Sequence, residues 1–135
     1  MTRVLVTGCM DVLHLGHLRM LEYAKSLGDI LFVAIDDDQK VAKEKGSTRP
    51  FNKVLDRKEM LMALKPVDNV FIFSSDTDLE EICRLYKPDI RVVGSDWKGK
   101  PIIGEKYCKK VEYFDRIEGY STTNIIGPGE PNDIV

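Results

Sequence analysis

Apolar and polar positions along this chain follow two rhythms in alternation. Short, β-branched, largely apolar runs at 3–7, 30–35, 70–73, 90–93 and 111–114 read as strands. Between them the apolar positions recur with a helical period. A helix over 15–26 has Leu18, Leu21, Tyr23, Ala24 and Leu27 on its apolar face, and Gly28 ends it. A second helical stretch opens at Asp36-Asp37-Asp38 and carries Lys40, Lys43 and Lys45; residues 46–50 form a loop. A third runs from an Asn52 cap to Leu64, a fourth covers 78–86 and stops at Pro88, and a last one starts at 121–126 with Ser121 or Thr122 as its cap.

Strands separated by helices imply right-handed βαβ units and a parallel sheet. The expected fold is α/β: one Rossmann-like, doubly wound domain with five parallel strands over residues 1–126. Residues 127–135, which open Gly127-Pro128-Gly129-Glu130-Pro131, are expected to be a flexible tail. In such folds ligands bind beyond the carboxyl ends of the strands. Four polar segments fall there: 8–17, 36–38, 94–97 and 116–123.

The chain has 135 residues, 43% of them hydrophobic, enough for one core. A formal charge of −2 argues against a nucleic-acid partner, and the absence of a long apolar run argues against a membrane span. A strand at residue 3 leaves no room for a signal peptide, so a cytoplasmic protein is expected. Cys9, Cys83 and Cys108 are odd in number and widely spaced, which fits a reducing compartment better than a disulfide framework or zinc site. Cys9 lies in a candidate phosphate loop, but the sequence shows no base to activate it as a nucleophile.

Residues 4–17 read VLVTGCMDVLHLGH. A strand meets Gly8, and a short loop leads to a helix opening at His14-Leu15-Gly16-His17. Unpaired backbone N–H groups and the positive end of a helix dipole make such a turn a phosphate site. His14 and His17, three residues apart, share one face of the first turn, and Gly16 leaves room between them. Near the other end, residues 116–123 read RIEGYSTT. Arg116 can clamp phosphate oxygens, and Ser121, Thr122 and Thr123 supply hydroxyls at a helix start.

The first segment resembles the G-x-F-D…H-x-G-H signature of the nucleotidyltransferase superfamily that includes the cytidylyltransferases, with Met10 in place of the usual Phe. The second resembles the cytidylyltransferase R-T-E-G-I-S-T motif, with Ile117 and Tyr120 as departures. Residues 94–100, Gly94-Ser95-Asp96-Trp97-Lys98-Gly99-Lys100, look like a stretch of glycerol-3-phosphate cytidylyltransferases. A competing resemblance links Gly8-Cys9, Lys45-Gly46, Arg49-Pro50 and Ser121-Thr122-Thr123-Asn124-Ile125-Ile126 to the adenylyltransferase domain of ADP-heptose synthesis proteins. That group usually has Asp at the position of Glu118 and lacks Trp97.

Both resemblances imply transfer of a nucleotidyl unit to a phosphorylated alcohol with release of pyrophosphate. Positioning and charge stabilisation dominate such chemistry. His14, His17, Lys45 and Arg116 are the expected catalytic groups, with Lys43 as the alternative to Lys45. Thr7, Gly8, Cys9, Asp11, Gly16, Gly94, Asp96, Ser121, Thr122 and Thr123 are expected around the nucleotide, Asp11 by orienting the loop or a histidine. Arg57, Asp36 and Trp97 are placed with the acceptor. Mg²⁺ is expected to arrive with the triphosphate, without protein ligands. Residues 94–97 and 116–119 weight the nucleotide toward CTP and the acceptor toward glycerol-3-phosphate. The alternatives are ATP with a heptose phosphate, and a nucleotide-binding module without catalysis. Short members of the superfamily also imply a homodimer.

Overall fold

A computed structural model describes residues 1–115. The elements follow the two rhythms of the sequence: β1 (Arg3–Gly8), α1 (Leu15–Ser26), β2 (Ile30–Asp36), α2 (Asp38–Lys45), α3 (Val54–Met62), β3 (Asn69–Phe73), α4 (Asp76–Tyr86), β4 (Ile90–Gly94) and β5 (Lys110–Phe114). Single 3₁₀ turns at Ser95–Trp97 and Glu105–Tyr107 lie between β4 and β5. The expected helix at 121–126 and the tail at 127–135 lie outside the described residues.

The five strands form one parallel sheet in the order β3-β2-β1-β4-β5. The chain winds outward from β1 to β3, then returns to the other side of β1 for β4 and β5. The switch point is therefore the seam between β1 and β4, where Val6 pairs with Val92.

Period-two alternation sends neighbouring side chains to opposite faces. Val4 and Val6 of β1, with Leu31, Val33 and Ile35 of β2, pack against Met20, Leu21 and Ala24 of α1 and Leu61 of α3. Leu5 and Ala34 point the other way, to Phe73, Leu79 and Cys83, with Phe32, Phe71 and Tyr86 around them. The Phe32 and Tyr86 rings stack at 4.5 Å. Helices α1 and α3 thus cover one face and α4 the other, as the doubly wound reading requires.

α1 has the bounds that the sequence predicts, with Leu27 as its C-cap and Gly28 just after it. Gly28 is needed for close approach: a Cβ there would lie 2.8 Å from the Thr2 carbonyl oxygen and from a Val4 methyl. The N-cap of α3 is Lys53, which makes no side-chain cap bond. Asn52 is instead drawn into the loop beside β1.

Candidate active site

β1 ends at Gly8, and the chain turns through Met10, which holds a left-handed φ of 55°. It enters α1 with His14 as N-cap, in extended conformation. His17, at the third helical position, reaches back: its Nδ1 accepts the backbone N–H of His14 at 3.1 Å. An imidazole here does what Glu or Gln does in a capping box. Acceptance at Nδ1 places the ring proton on Nε2. The two rings lie 3.8 Å apart between centroids, tilted by 41°.

His17 is buried. Burial, and then the neighbouring His14, push its pKa down to about 3. Burial also lowers His14. At neutral pH the pair is therefore uncharged, and the Nε2–H of His17 is a hydrogen-bond donor rather than a cation.

Asp11 is buried at the base of the same loop. Its Oδ2 accepts from Arg49 Nε at 3.1 Å and from the Phe51 N–H at 2.8 Å; its Oδ1 accepts from the Asn52 N–H at 2.8 Å. Asn52 Nδ2 donates back to the Asp11 carbonyl at 2.7 Å. The carboxylate is thus occupied in tethering residues 49–52 to the β1–α1 loop. Of the two roles expected of Asp11, orienting the loop is the one its contacts match.

Arg57 is the residue that the resemblance placed with the acceptor's phosphate. The residue is only 1% exposed. Its Nε donates to the Asn52 carbonyl at 3.0 Å, and one terminal nitrogen donates to the carbonyls of Cys9 at 2.9 Å and Asp36 at 2.7 Å. The other pairs with Asp38 at 2.8 Å. Helical periodicity counts the positions of side chains and cannot see three carbonyl oxygens converging from the loop after β1, the end of β2 and the loop before α3. Arg57 is the pin joining those ends.

Lys45, the last residue of α2, is buried, whereas Lys43 is exposed. The charge of Lys45 acts on both Cys9 and Asp36, which places it beside the β1 loop. Cys9 is pushed up to about 11 by burial, so its thiol stays protonated. The Asp36–Asp38 run is divided among three tasks. Asp36 is buried 3.8 Å from Lys40 Nζ, with its carboxyl pKa raised by burial. Asp37 caps α2 by accepting the Lys40 N–H at 2.8 Å, and Asp38 pairs with Arg57. Among the described residues no group of three or more acidic, His or Cys side chains could hold a metal ion.

Across the seam, Gly94 ends β4, and Asp96 and Trp97 stand exposed on the turn that follows. Thr7 points toward this side: its Oγ1 accepts from Arg91 at 3.1 Å. Gly16 is buried in the first turn of α1. The fold therefore gathers Thr7, Gly8, Cys9, Asp11, His14, Gly16, His17, Asp36, Lys45, Gly94, Asp96 and Trp97 at the carboxyl ends of β1, β2 and β4. Arg116, Ser121, Thr122 and Thr123 lie outside the described residues. Arg49, Asn52 and Arg91 were not singled out as site residues from the sequence. The Arg49-Pro50 pair of the second resemblance was their only signal.

A family model described as cytidylyltransferase-like matches residues 5–127. The chain is 46% identical over 123 residues to the bifunctional protein HldE of a Nitratiruptor species, covering 91% of this chain and 26% of that protein. It is 48% identical over 123 residues to HldE of Campylobacter jejuni subsp. doylei, with 91% and 26% covered. The chain thus spans about a quarter of the length of these curated relatives. Among solved structures it resembles the lipopolysaccharide core biosynthesis protein from Thermoplasma volcanium, at 28% identity and a TM-score of 0.68, covering 89% of this chain and 98% of that one.

These relatives overturn the expectation of CTP with glycerol-3-phosphate, because they belong to the heptose-type group of the second resemblance. Of the two stretches that weighed toward CTP, 116–119 lies outside the described residues, and the burial pattern shows why 94–97 is a weak guide. Residues 96–100 form an exposed turn, where a chain tolerates many residues. The heptose-type Cys9 and Arg49 are buried against Arg57 and Asp11, where few residues fit. The chain belongs to the cytidylyltransferase-like family and is a nucleotidyltransferase.

Proposed function

We propose that this chain transfers the adenylyl group of ATP to a phosphorylated heptose, giving an ADP-sugar and pyrophosphate. The observation that carries this reading is the 46–48% identity to HldE proteins over nine-tenths of the chain, joined to a helix start that holds two neutral imidazoles. An oxygen of the sugar phosphate attacks the α-phosphorus of ATP, and the bond to the β-phosphate oxygen breaks as pyrophosphate leaves. His14 and His17 act as hydrogen-bond donors to the phosphates as charge shifts onto the leaving group. Their neutrality costs nothing here, since a donor needs a proton and not a charge. Lys45 supplies a cation beside them.

Asp11 and Arg57 position the loops and do not touch substrate. Gly94 and Asp96 border the nucleotide, and Asp36 and Trp97 face the acceptor. Arg116, Ser121, Thr122 and Thr123 hold the β- and γ-phosphates in this reading. The carboxylates of Asp36, Asp37 and Asp38 are committed to Lys40, the α2 backbone and Arg57. In this reading Mg²⁺ arrives with the triphosphate, whose charge it neutralises. The free thiols Cys9, Cys83 and Cys108 support a reducing compartment such as the cytoplasm. No helix among the described residues is long and apolar enough to cross a membrane. Exposed Phe51, Leu55 and Met60 support a homodimer.

The test is pyrophosphate release with ATP or CTP against a panel of phosphorylated heptoses and small polyols. The proposal expects turnover only with ATP and a heptose phosphate. Turnover with a polyol phosphate but no heptose phosphate overturns it.

A further inference from the structure

A second group of reactive side chains lies on the α4 side of the sheet, apart from the histidine pair. Cys83 is buried within α4, and Cys108, half-buried, follows the turn Glu105–Tyr107. Both are free thiols, and both sulfurs lie against the same residue, Gly104. Gly104 brings them together. It adopts a left-handed φ of 80°, and a Cβ there would lie 2.6 Å from Cys83 Sγ, so only glycine lets this segment press on the thiol. The Gly104 carbonyl also accepts from Cys108 Sγ at 3.6 Å.

Arg91 of β4 completes the group. It is 2% exposed. One terminal nitrogen donates to Cys83 Sγ at 3.7 Å and to the Ile103 carbonyl at 2.8 Å; the other donates to Thr7 Oγ1. Its Nε has no partner among the described residues. A buried guanidinium ordinarily has a carboxylate partner. Here the hydrogen-bonded group that can become an anion is the Cys83 thiol.

We propose that Cys83 and Cys108 form a redox-active dithiol site that takes a small-molecule disulfide as its oxidant and closes into an intramolecular disulfide. The donors around Cys83, first the Cys108 thiol and then Arg91, favour its thiolate, while Cys108 stays protonated. Cys108 is the less buried residue of the pair. Its proton passes to the Cys83 thiolate as its sulfur attacks one sulfur of the small disulfide; that S–S bond breaks, the departing sulfur takes the proton from Cys83, and one thiol leaves. The Cys83 thiolate then attacks Cys108 Sγ and expels the second thiol. The protein loses two protons and two electrons, and the oxidant becomes two thiols. Through Arg91 and Thr7 this site adjoins the end of β1, where the nucleotide loop begins.

The experiment treats the folded full chain with glutathione disulfide, alkylates the remaining thiols and reads intact mass and a peptide map. The wild type should lose two of its three thiols, show a Cys83–Cys108 linked peptide and recover both thiols with dithiothreitol. Cys83→Ser should stop with one glutathione on Cys108, since the second attack is missing. Cys108→Ser should stay unmodified, because Cys83 is sealed inside. The proposal is overturned if the folded wild type keeps glutathione on Cys108 without closing. It is equally overturned if all three thiols survive in the folded protein and react only in urea. Should Cys83→Ser fail to fold, the wild-type peptide map and Cys108→Ser still decide.

Discussion

The ring nitrogen Nδ1 of His17 accepts the backbone N–H of His14 at 3.1 Å. One bond therefore serves both the helix and the chemistry. It satisfies a donor that the start of α1 would leave open, and it commits the His17 proton to Nε2. Asparagine can imitate the first service, because its side-chain oxygen takes up the place of Nδ1, but it offers no Nε2–H. His17→Asn should keep stability within about 1 kcal/mol of the wild type, the scale of a single cap. It should lower kcat about a hundredfold or more, the usual loss of one transition-state donor. Denaturant unfolding and pyrophosphate release measure the two. Near-normal turnover would remove His17 from the catalytic groups.

The same residue links stability to pH. The pKa of His17 falls from an ordinary 6.5 to about 3 in the fold. Between these values the unfolded chain binds a proton that the native state does not. The stabilisation is whole above pH 6.5 and drains as pH falls toward 3, by at most about 1.4 kcal/mol per pH unit. Lowered His14 adds in the same direction. Denaturation midpoints between about pH 7 and pH 4.5 should fall with pH, and His17→Asn should flatten the slope. An equal slope in the variant would assign the pH effect elsewhere.

Arg57 gives a prediction of the opposite kind, structural first. Arg57→Ala leaves the Asp38 carboxylate and the carbonyls of Cys9, Asp36 and Asn52 without their donor. Leaving a buried acceptor without its donor costs about 1–3 kcal/mol for each group. Melting should show that loss, and Arg57→Lys should recover only part of it, since an ammonium cannot serve four oxygens spread around a planar fork. An Arg57→Ala protein of full stability with a raised KM for the acceptor alone would restore the acceptor-binding role.

Asp11→Asn separates positioning from catalysis. The amide puts N–H groups where Arg49, Phe51 and Asn52 already donate. At least one donor loses its acceptor, at about 1–3 kcal/mol. Residues 49–52 should loosen while α1 keeps its start, so amide exchange should quicken at Phe51 and Asn52 and stay slow at Leu18. Equal exchange in both proteins would mean that Asp11 does not hold the loop.

Much of this molecule can be read from local pattern. The strands β1 to β5 announce themselves because a parallel sheet buried on both faces selects β-branched apolar runs. The H-x-G-H turn is equally legible, because its spacing along one helix turn is itself the geometry. Convergence is what the chain order hides. Arg57 looks like a surface residue until the loop after β1, the end of β2 and the loop before α3 bring three carbonyls to it. Asn52 looks like a cap until Asp11 draws it inward. Arg91 looks like an interruption of β4 until the fold sets Thr7 on one side and Cys83 on the other. Their partners stand from 5 to 84 positions away, and no period along the sequence spans such distances.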